Sequence, residues 1–216
     1  MQRDLQYKPF VIGISGASGS GKTVLASQIL EEIGSDDVSI ICEDSYYKDF
    51  SNLGDKRAEV NYDHPDSFNH DLLVDHLKRI IQLRESVRIP IYDYRNHCPS
   101  AESRIVNPTK VILLEGILLL ADEKLRELMD IKIFMDTDFD LCLLRRVLRD
   151  TRERQRDLEF VIHQYIDKVR VMYNKFIEPS RQYADIHVPG GGYNNVALDM
   201  LKTKIRAVIN EGTQSN

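Results

Sequence analysis

Residues 16–23 read Gly16-Ala17-Ser18-Gly19-Ser20-Gly21-Lys22-Thr23, a full match to the phosphate-binding pattern G-x-x-x-x-G-K-[ST]. A short apolar, β-rich run precedes this loop, and the apolar residues after it recur at helical spacing. In that context the loop amides and the helix N-terminus face the phosphates of a nucleotide. Lys22 adds a positive charge for the β- and γ-phosphates, and the Thr23 hydroxyl is a ligand for Mg²⁺. The stretch therefore predicts a nucleoside triphosphate site.

Apolar, β-favouring runs alternate with helical patterns along the chain. The runs lie at residues 10–14, 38–42, 110–114, 131–135 and 185–188. Helical spacing of apolar residues is found at 72–81, 141–148, 158–177 and 195–209. Continuous apolar strands suit a parallel sheet, because its crossover helices cover both faces. The pattern predicts one α/β domain over residues 1–216, with ligands beyond the carboxyl ends of the strands.

Two segments interrupt this alternation. Residues 88–107 contain two short β-type runs around a polar turn, which predicts a β-hairpin standing off the main sheet. Residues 149–157, called the arginine segment below, are charged and have no apolar face, which favours a mobile lid over a packed element. Polar residues 211–216 are expected to form a flexible tail.

The composition is typical of a globular α/β protein. Of the 216 residues, 42% are hydrophobic and 29% are charged. The net charge of −5 disfavours general binding to nucleic acids or membrane surfaces. We expect no signal peptide at residues 1–9, and no apolar run approaches the roughly 20 residues of a transmembrane helix. Three widely spaced cysteines lack metal-binding spacing and indicate reduced thiols, as in a cytoplasmic protein.

Carboxylates follow two of the predicted strands. Asp44 comes after the run 38–42, and Glu115 comes after the run 110–114. Because strand ends meet at one edge of a parallel sheet, both lie close to the predicted phosphate site. Asp44 could accept a hydroxyl proton or join the Mg²⁺ shell, and Glu115 is a second Mg²⁺ candidate. The alternative is that Asp44 only caps a turn and that Glu115 is structural.

Arginines are concentrated within twelve residues of this acidic chain. They are Arg145, Arg146, Arg149, Arg152, Arg154 and Arg156. Some of them are expected only to pair with acidic residues on a solvated helix face. Phosphoryl transfer, however, needs guanidinium groups that arrive as the site closes. We therefore expect two or three of these arginines to contact phosphates or the acceptor.

Polar and aromatic residues are dense in the segment Asn61–Phe68 and on the predicted hairpin. Asp63 can accept two hydrogen bonds from ribose hydroxyls, or it can cap the helix that follows. Tyr92, Tyr94 and His97 could stack on a base and read its edge, or they could simply pack the hairpin. The residues alone thus predict a nucleotide-dependent kinase with a polyhydroxylated acceptor of open identity.

Further motifs extend the pattern over most of the chain. They read E-D-S-Y-Y at 43–47, N-Y-D-H-P at 61–65, I-P-I-Y-D-Y-R-N-H at 89–97, L-L-E-G-I at 113–117, R-R-V-L-R-D at 145–150 and F-I-E-P-S-R-Q-Y-A-D at 176–185. With the phosphate loop, this ordered set resembles the uridine–cytidine kinase family over about residues 9–208. The Y-D-H-P motif and the tyrosine–histidine hairpin separate it from phosphoribulokinases and pantothenate kinases, the nearest alternatives.

The resemblance implies a P-loop fold, with a five-stranded parallel sheet flanked by helices and a β-hairpin excursion. It also implies Mg²⁺-dependent transfer of the γ-phosphate of ATP or GTP to the 5′-hydroxyl of uridine or cytidine, in pyrimidine salvage. Members of the family are usually homotetramers, and inhibition by CTP or UTP is a family property. The expected partners are therefore a nucleoside, a nucleoside triphosphate and further copies of the chain.

Residue roles carry over from the family motifs. Asp44 resembles the general base on the 5′-hydroxyl, and Arg149 resembles the lid arginine that meets the phosphates. Thr23 and Glu115 lie on the Mg²⁺ side of the site. The implied nucleoside contacts are made to the ribose by Asp63 and Arg146, to the base edge by Tyr92 and His97, and elsewhere in the pocket by Tyr47, Arg156 and Gln164.

The chain departs from the family pattern in two places. Residues 189–194 read P-G-G-G-Y-N where members commonly carry Pro-Arg-Gly, which bears on binding of the donor base. Gln155 stands where a glycine is common in the lid, so the backbone there has less freedom. A GTPase switch is disfavoured, because residues 174–177 read N-K-F-I and lack the aspartate of a guanine-reading motif.

Overall fold

The structure is a computed structural model that describes residues 8–94 and 96–211. Its strands are β1 (Phe10–Gly16), β2 (Val38–Cys42), β3 (Val87–Asp93), β4 (Cys98–Val106), β5 (Val111–Glu115), β6 (Ile131–Asp136) and β7 (Ile186–Pro189). Five of them form a parallel sheet in the order β2-β5-β1-β6-β7, while β3 and β4 pair with each other as an antiparallel hairpin. The predicted five-stranded parallel sheet and the separate hairpin are confirmed.

Helices flank the sheet. They are α1 (Lys22–Ile33), α2 (His70–Lys78), α3 (Glu123–Arg126), α4 (Phe139–Arg152), α5 (Leu158–Gln164), α6 (Arg170–Met172), α7 (Glu178–Ser180) and α8 (Asn195–Glu211). Wider π-helical turns at Tyr165–Val169 and Tyr173–Ile177 join α5, α6 and α7, so the helical pattern predicted for 158–177 is one continuous stretch. A third such turn, Arg79–Leu83, extends α2. Short 3₁₀ turns lie at Glu43–Tyr46, Ser51–Glu59, Pro65–Ser67 and Arg181–Tyr183.

The central strands are buried on both faces. Successive side chains of a strand point to opposite faces, so Ile12 packs with Leu25 of α1 and Leu201 of α8, whereas Val11 belongs to the opposite core with Leu73 of α2. Full burial of each such side chain contributes about 1.5–3 kcal/mol. The two cores therefore hold β1 rigidly, and with it the start of the phosphate loop.

Strand register brings the predicted site residues to one edge of the sheet. Glu115, at the end of β5, is opposite Ile14 of β1 on one side and opposite Cys42 of β2 on the other. The phosphate loop continues from β1 at Gly16, and Asp44 lies two residues beyond Cys42. The carboxyl ends of three neighbouring strands thus carry the loop and both carboxylates.

The hairpin begins and ends within one residue of the predicted range 88–107. Its ladder is irregular between Pro90 and Tyr92. Arg104 of β4 donates a hydrogen bond from Nη2 to the carbonyl oxygen of Ile40, at 2.8 Å. This contact holds the hairpin against β2, the edge strand of the main sheet.

The arginine segment is partly helical and partly the connection between two helices. Residues 149–152 form the last turn of α4, and residues 153–157 lead to α5. Gln155 has φ of +54°, in the left-handed region that favours glycine. Mobility of this segment stays a prediction.

The end of the chain is described as far as Glu211, which is the last residue of α8. The rest of the predicted flexible tail, residues 212–216, lies outside the described residues. Among residues 8–94 and 96–211, no helix combines the length and apolar character needed to cross a membrane.

Candidate active site

The phosphate loop connects β1 to the first turn of α1. Gly19 has φ of +85°, and a Cβ atom there would lie 2.4 Å from the carbonyl oxygen of Cys142. A side chain at this position would therefore force the loop away from α4. Lys22 begins α1, so the free amides of the helix N-terminus lie at the end of the loop.

Lys22 is buried beneath the loop. Its Nζ donates hydrogen bonds to the carbonyl oxygens of Gly16, at 3.0 Å, and Ala17, at 2.8 Å. Burial lowers the pKa of the Lys22 ammonium, and the carboxylates of Glu115 and Asp44 oppose this effect. The Lys22 ammonium thus contacts the loop carbonyl oxygens and is close enough to both carboxylates for their charges to act on it.

Thr23 and Glu115 form a polar pair beside Lys22. The Thr23 hydroxyl donates to Glu115 Oε1 at 3.1 Å. Burial raises the pKa of the Glu115 carboxyl, while the charge of Lys22 opposes the rise. Both residues line a cavity of about 460 Å³, which we call the loop cavity. Its other lining residues include Ser18, Gly19, Gly21, Lys22, Asp44, Arg145, Arg149 and Tyr193.

The oxygen ligands in the loop cavity fit Mg²⁺ in its usual nucleotide-bound form. Within the described residues, no group of three or more His, Cys, Asp or Glu side chains could hold a metal ion alone. Mg²⁺, however, is normally bound through one or two carboxylates together with substrate phosphates and water. Thr23, Glu115 and Asp44 provide such a partial set.

A second, narrow cavity of about 50 Å³ lies next to the loop cavity, and we call it the aromatic cavity. It brings together all seven residues predicted to bind the acceptor: Tyr47, Asp63, Tyr92, His97, Arg146, Arg156 and Gln164. Ser18, Asp44, Ile117 and Arg149 line both cavities. The two spaces therefore meet at the predicted base and the predicted lid arginine.

One end of the aromatic cavity is built from buried charged groups. Asp63 and Arg146 are 5% and 6% exposed, and Arg146 Nη1 lies 3.6 Å from Asp63 Oδ1. Arg146 Nη2 donates to Gln164 Oε1 at 3.1 Å. Arg146 Nε is buried without a hydrogen bond to any described residue. A buried carboxylate that is only loosely paired suits a ligand that carries several hydroxyl groups.

The other end is aromatic. The rings of Tyr47 and Tyr92 lie 4.9 Å apart, and Tyr62 stacks on His97 at 4.7 Å. The Tyr92 hydroxyl is buried beside Tyr62 without a well-formed hydrogen bond. Burial, together with Arg156 and Arg57, lowers the pKa of His97 to about 4. His97 is therefore neutral near pH 7, with one ring nitrogen that donates and one that accepts.

Asp150 is the centre of the arginine cluster and is fully buried. It accepts hydrogen bonds from Arg149 Nε at 2.9 Å and Arg156 Nη1 at 3.3 Å. Arg154 Nη1 and Arg146 Nε lie 3.4 and 3.7 Å from its oxygens. Burial would raise the pKa of this carboxyl, but the arginines outweigh it and lower the pKa. Four guanidinium groups around one carboxylate leave an excess of positive charge that suits a phosphoryl group.

The six clustered arginines take different places. Arg145 and Arg149 line the loop cavity, and Arg146, Arg149, Arg154 and Arg156 line the aromatic cavity. Arg152 lines neither of them. Two of them reach the phosphate loop: Arg149 Nη2 lies 3.5 Å from the Ser18 hydroxyl, and Arg145 Nη1 lies 3.5 Å from the carbonyl oxygen of Gly19. The expectation that two or three of the arginines touch substrates stays a prediction.

Glu43, directly before Asp44, ties two strand ends together. This fully buried carboxylate accepts hydrogen bonds from the amides of Ile117, at 2.6 Å, and Leu118, at 3.0 Å. His70 donates to it through Nε2 at 2.9 Å and has Asp122 Oδ2 at 3.1 Å from Nδ1. Burial lowers the pKa of His70, but the bonds to Asp122 and Glu43 outweigh it and raise the pKa to about 9.

Sequence reasoning missed four of these features. Asp150 was interpreted only as a partner on a solvated helix face, and Tyr62 and the Glu43–His70 pair were not identified. The bond from the Tyr94 hydroxyl to Asp44 Oδ2, at 3.0 Å, was also missed. The adjacent acidic residues Glu43 and Asp44 were the one signal in the sequence for the Glu43–His70 pair. If one of the two side chains faces the cavities, the other points away from them and needs a buried partner.

The chain matches the family model described as "Phosphoribulokinase / Uridine kinase family" over residues 11–197. It is 50% identical over 205 residues to a uridine kinase of Halalkalibacterium halodurans, covering 94% of this chain and 97% of the relative. It is 49% identical over 211 residues to a uridine kinase of Aeromonas hydrophila, covering 95% of this chain and 98% of the relative.

Among solved structures, the fold is similar to that of phosphoribulokinase from Rhodobacter spheroides. The TM-score is 0.61 at 17% sequence identity, covering 84% of this chain and 70% of the other. At this identity the likeness concerns the fold alone. It agrees with the parallel sheet and flanking helices described above.

Proposed function

The chain belongs to the phosphoribulokinase / uridine kinase family, and on this premise we propose that it is a uridine–cytidine kinase. Family membership makes it a kinase that transfers a phosphoryl group from ATP. The proposed reaction moves the γ-phosphate to the 5′-hydroxyl of uridine or cytidine and gives UMP or CMP. One observation carries the proposal: a loop cavity and an aromatic cavity meet at Asp44 and Arg149.

The donor occupies the loop cavity in this mechanism. Loop amides and Lys22 bind the β- and γ-phosphates, and Arg149 adds positive charge as the site closes. Mg²⁺ bound by Thr23 and Glu115 would neutralise charge on the phosphate oxygens. The 5′-oxygen forms a bond to the γ-phosphorus while the bond to the β–γ bridging oxygen breaks. The proton of the 5′-hydroxyl passes to the Asp44 carboxylate, and ADP leaves.

The acceptor binds among the residues of the aromatic cavity, which widens to admit it, since about 50 Å³ is smaller than a nucleoside. Asp63 accepts hydrogen bonds from the ribose hydroxyls, and Arg146 binds beside it. Tyr92 and neutral His97 contact the edge of the pyrimidine, while Tyr47, Arg156 and Gln164 complete the pocket. A 2′-deoxynucleoside would leave the buried Asp63 carboxylate short of a donor, so it is a poorer substrate.

Other features of the proposal rest on the resemblance and on single observations. GTP is a second donor, and the reaction serves pyrimidine salvage. The enzyme works in the cytoplasm, and the three free cysteines among the described residues are consistent with that reducing compartment. The chain assembles as a homotetramer. Exposed leucines on one face of α4, Leu141, Leu144 and Leu148, provide an apolar surface for a further copy.

The test is ADP release with Mg²⁺, using ATP and GTP in parallel and a panel of acceptors. Uridine and cytidine should be turned over, with 2′-deoxyuridine about 10–100-fold less efficient, as expected for one lost hydrogen bond to a charged group. The variant Lys22→Met serves as an inactive control. Turnover of ribulose 5-phosphate or pantothenate in place of the pyrimidine nucleosides would contradict the proposal.

A further inference from the structure

Tyr94 lies directly after β3 on the hairpin and makes two contacts across the site. Its hydroxyl donates to Asp44 Oδ2 at 3.0 Å. Its ring lies under the Arg154 guanidinium, whose carbon is 4.2 Å from the ring centroid. The hairpin pairs with no strand of the main sheet among the described residues. Tyr94 is therefore a direct link from the hairpin to both the predicted base and the arginine segment.

The hydroxyl contact restricts the Asp44 carboxylate. Asp44 lies in a short 3₁₀ turn, and an aspartate carboxylate rotates easily about its last side-chain bond. Because Oδ2 accepts from Tyr94, rotation is limited and Oδ1 is left for the acceptor hydroxyl. A reacting group must be held within about 10–20° of its productive orientation. Tyr94 provides such a restraint from outside the main sheet.

The ring contact continues into the arginine segment. Arg154 Nη1 is 3.4 Å from Asp150 Oδ1, and the same oxygen accepts from Arg149 Nε at 2.9 Å. Arg149 in turn lies 3.5 Å from Ser18 of the phosphate loop. A continuous set of contacts thus runs from Asp44 through Tyr94 and the arginine segment to the phosphate loop.

We propose that Tyr94 is a positioning residue for phosphoryl transfer: its hydroxyl orients the Asp44 carboxylate, and its ring docks Arg154, so that base, hairpin and arginine segment are aligned together. This inference rests on the proposed function, because it needs Asp44 to act on the acceptor hydroxyl. Tyr94 also lines the aromatic cavity, but the proposed role acts through Asp44 and Arg154.

The variant Tyr94→Phe separates the two contacts, since it removes the hydroxyl and keeps the ring. We expect kcat with uridine to fall about tenfold, the scale of one hydrogen bond to a charged group, with KM for uridine and for ATP changed less than about twofold. The thermal midpoint should fall by no more than about 2–8 °C, the scale of one lost hydrogen bond to a charged group. In an Asp44→Asn background the same substitution should lower kcat less than about twofold further, because coupled residues are not additive.

Two further variants complete the test. Tyr94→Leu removes the ring as well, so the KM for uridine should rise about fivefold over that of Tyr94→Phe as Arg154 loses its support. Tyr183→Phe is the matched control. Tyr183 is another tyrosine beneath an arginine, with Arg126 at 3.9 Å, but it is outside both cavities. Its variant should keep wild-type kinetics.

The outcomes separate this inference from the proposed function. If the wild-type protein does not phosphorylate uridine or cytidine, the proposed function itself fails. If the wild type is active and Tyr94→Phe keeps a normal kcat, the inference is overturned while the function stands. A change in KM alone would also overturn it, since Tyr94 would then be a nucleoside contact.

Discussion

The loop cavity and the aromatic cavity are built in different ways. The phosphate-binding part of the loop cavity is one continuous stretch, residues 16–23, fixed between a buried strand and a helix. Distant residues such as Asp44, Glu115 and Arg149 add single side chains to its lining. The aromatic cavity takes most of its side chains from five separate segments: the turn after β2, the segment Asn61–Phe68, the hairpin, α4 with the arginine segment, and α5. It shares Ser18 and Ile117 with the loop cavity. One site is therefore held by local backbone geometry, and the other by side-chain contacts between distant parts of the chain.

This difference predicts that the two cavities respond differently to single substitutions. Apart from proline, substitutions leave the backbone amides in place, so the loop is vulnerable at few positions, such as Gly19, Lys22 and Thr23. The aromatic cavity depends on buried charges, and removing one member leaves its partners unpaired. The following substitutions test that contrast, beginning with the residue shared by the two cavities.

Asp44→Asn should have the largest effect on catalysis. The amide cannot accept the hydroxyl proton, so kcat should fall by about 10²–10⁴, the usual worth of general-base assistance. Uridine binding should stay within about twofold when measured by calorimetry. The exposed Asp66 offers a control, and Asp66→Asn should leave kcat unchanged. A near-normal kcat for Asp44→Asn would exclude it as the base.

Asp150→Asn should damage the aromatic cavity and spare the loop cavity. Loss of the buried charge leaves four arginines uncompensated, so we expect the free energy of unfolding in urea to fall by about 3–5 kcal/mol. KM for uridine should rise, while affinity for a non-hydrolysable ATP analogue changes less. Asp71→Asn, which breaks an exposed pair with Lys124, is the matched control and should not alter stability measurably. Equal losses in both variants would contradict a special role for Asp150.

His70→Gln should change how stability depends on pH. The pKa of His70 is raised from 6.5 to about 9, so its contribution is complete below about pH 6.5 and is lost as pH rises through 9. A rise of about 2.5 units, at 1.36 kcal/mol for each unit of pKa, amounts to about 3–4 kcal/mol. Unfolding in urea from pH 6 to 10 should show this slope in the wild type and in the exposed control His163→Gln. A wild-type slope that persists in His70→Gln would show that other groups cause it.

Gln155→Gly should have the smallest effect, and a favourable one. The left-handed φ of +54° destabilises the folded state by roughly 1–2 kcal/mol for a residue with a side chain. Glycine relieves this strain, but its greater entropy in the unfolded chain offsets about 0.5–1 kcal/mol of the gain. Stability should therefore rise by about 0.5–1 kcal/mol, with kcat within about twofold. Gln182→Gly, in the helical turn Arg181–Tyr183, should have the opposite sign. Destabilisation by Gln155→Gly would mean that the side chain makes a needed contact.

The same contrast explains how far the sequence could be interpreted. The loop, the order of strands and helices and the two carboxylates after β2 and β5 follow from local patterns, and the parallel sheet is confirmed. The acceptor residues came from a resemblance in motifs, since nothing local to Asp63 or His97 says that they share a cavity. Burial of Asp150 among four arginines depends on how α4, the arginine segment and the hairpin pack. Spacing along one helix could not predict it.

Roles of single residues remain predictions, even where the fold brings the residues together. The bond from Tyr94 to Asp44 spans 50 positions, and the bond from Glu43 to the amide of Ile117 spans 74. Both hydrogen bonds depend on whether Glu43 or Asp44 turns its carboxylate toward the cavities. Side-chain direction at the end of a strand is set by tertiary contacts and not by the local pattern.

The most direct measurement is a crystal structure of the protein with uridine, Mg²⁺ and a non-hydrolysable ATP analogue. We expect the triphosphate in the loop formed by residues 16–23 and the pyrimidine beside Tyr92 and His97. The 5′-oxygen should lie about 3 Å from an Asp44 oxygen and in line with the γ-phosphorus. A nucleoside bound away from the end of β2, or a triphosphate outside the loop at saturating concentration, would contradict the account.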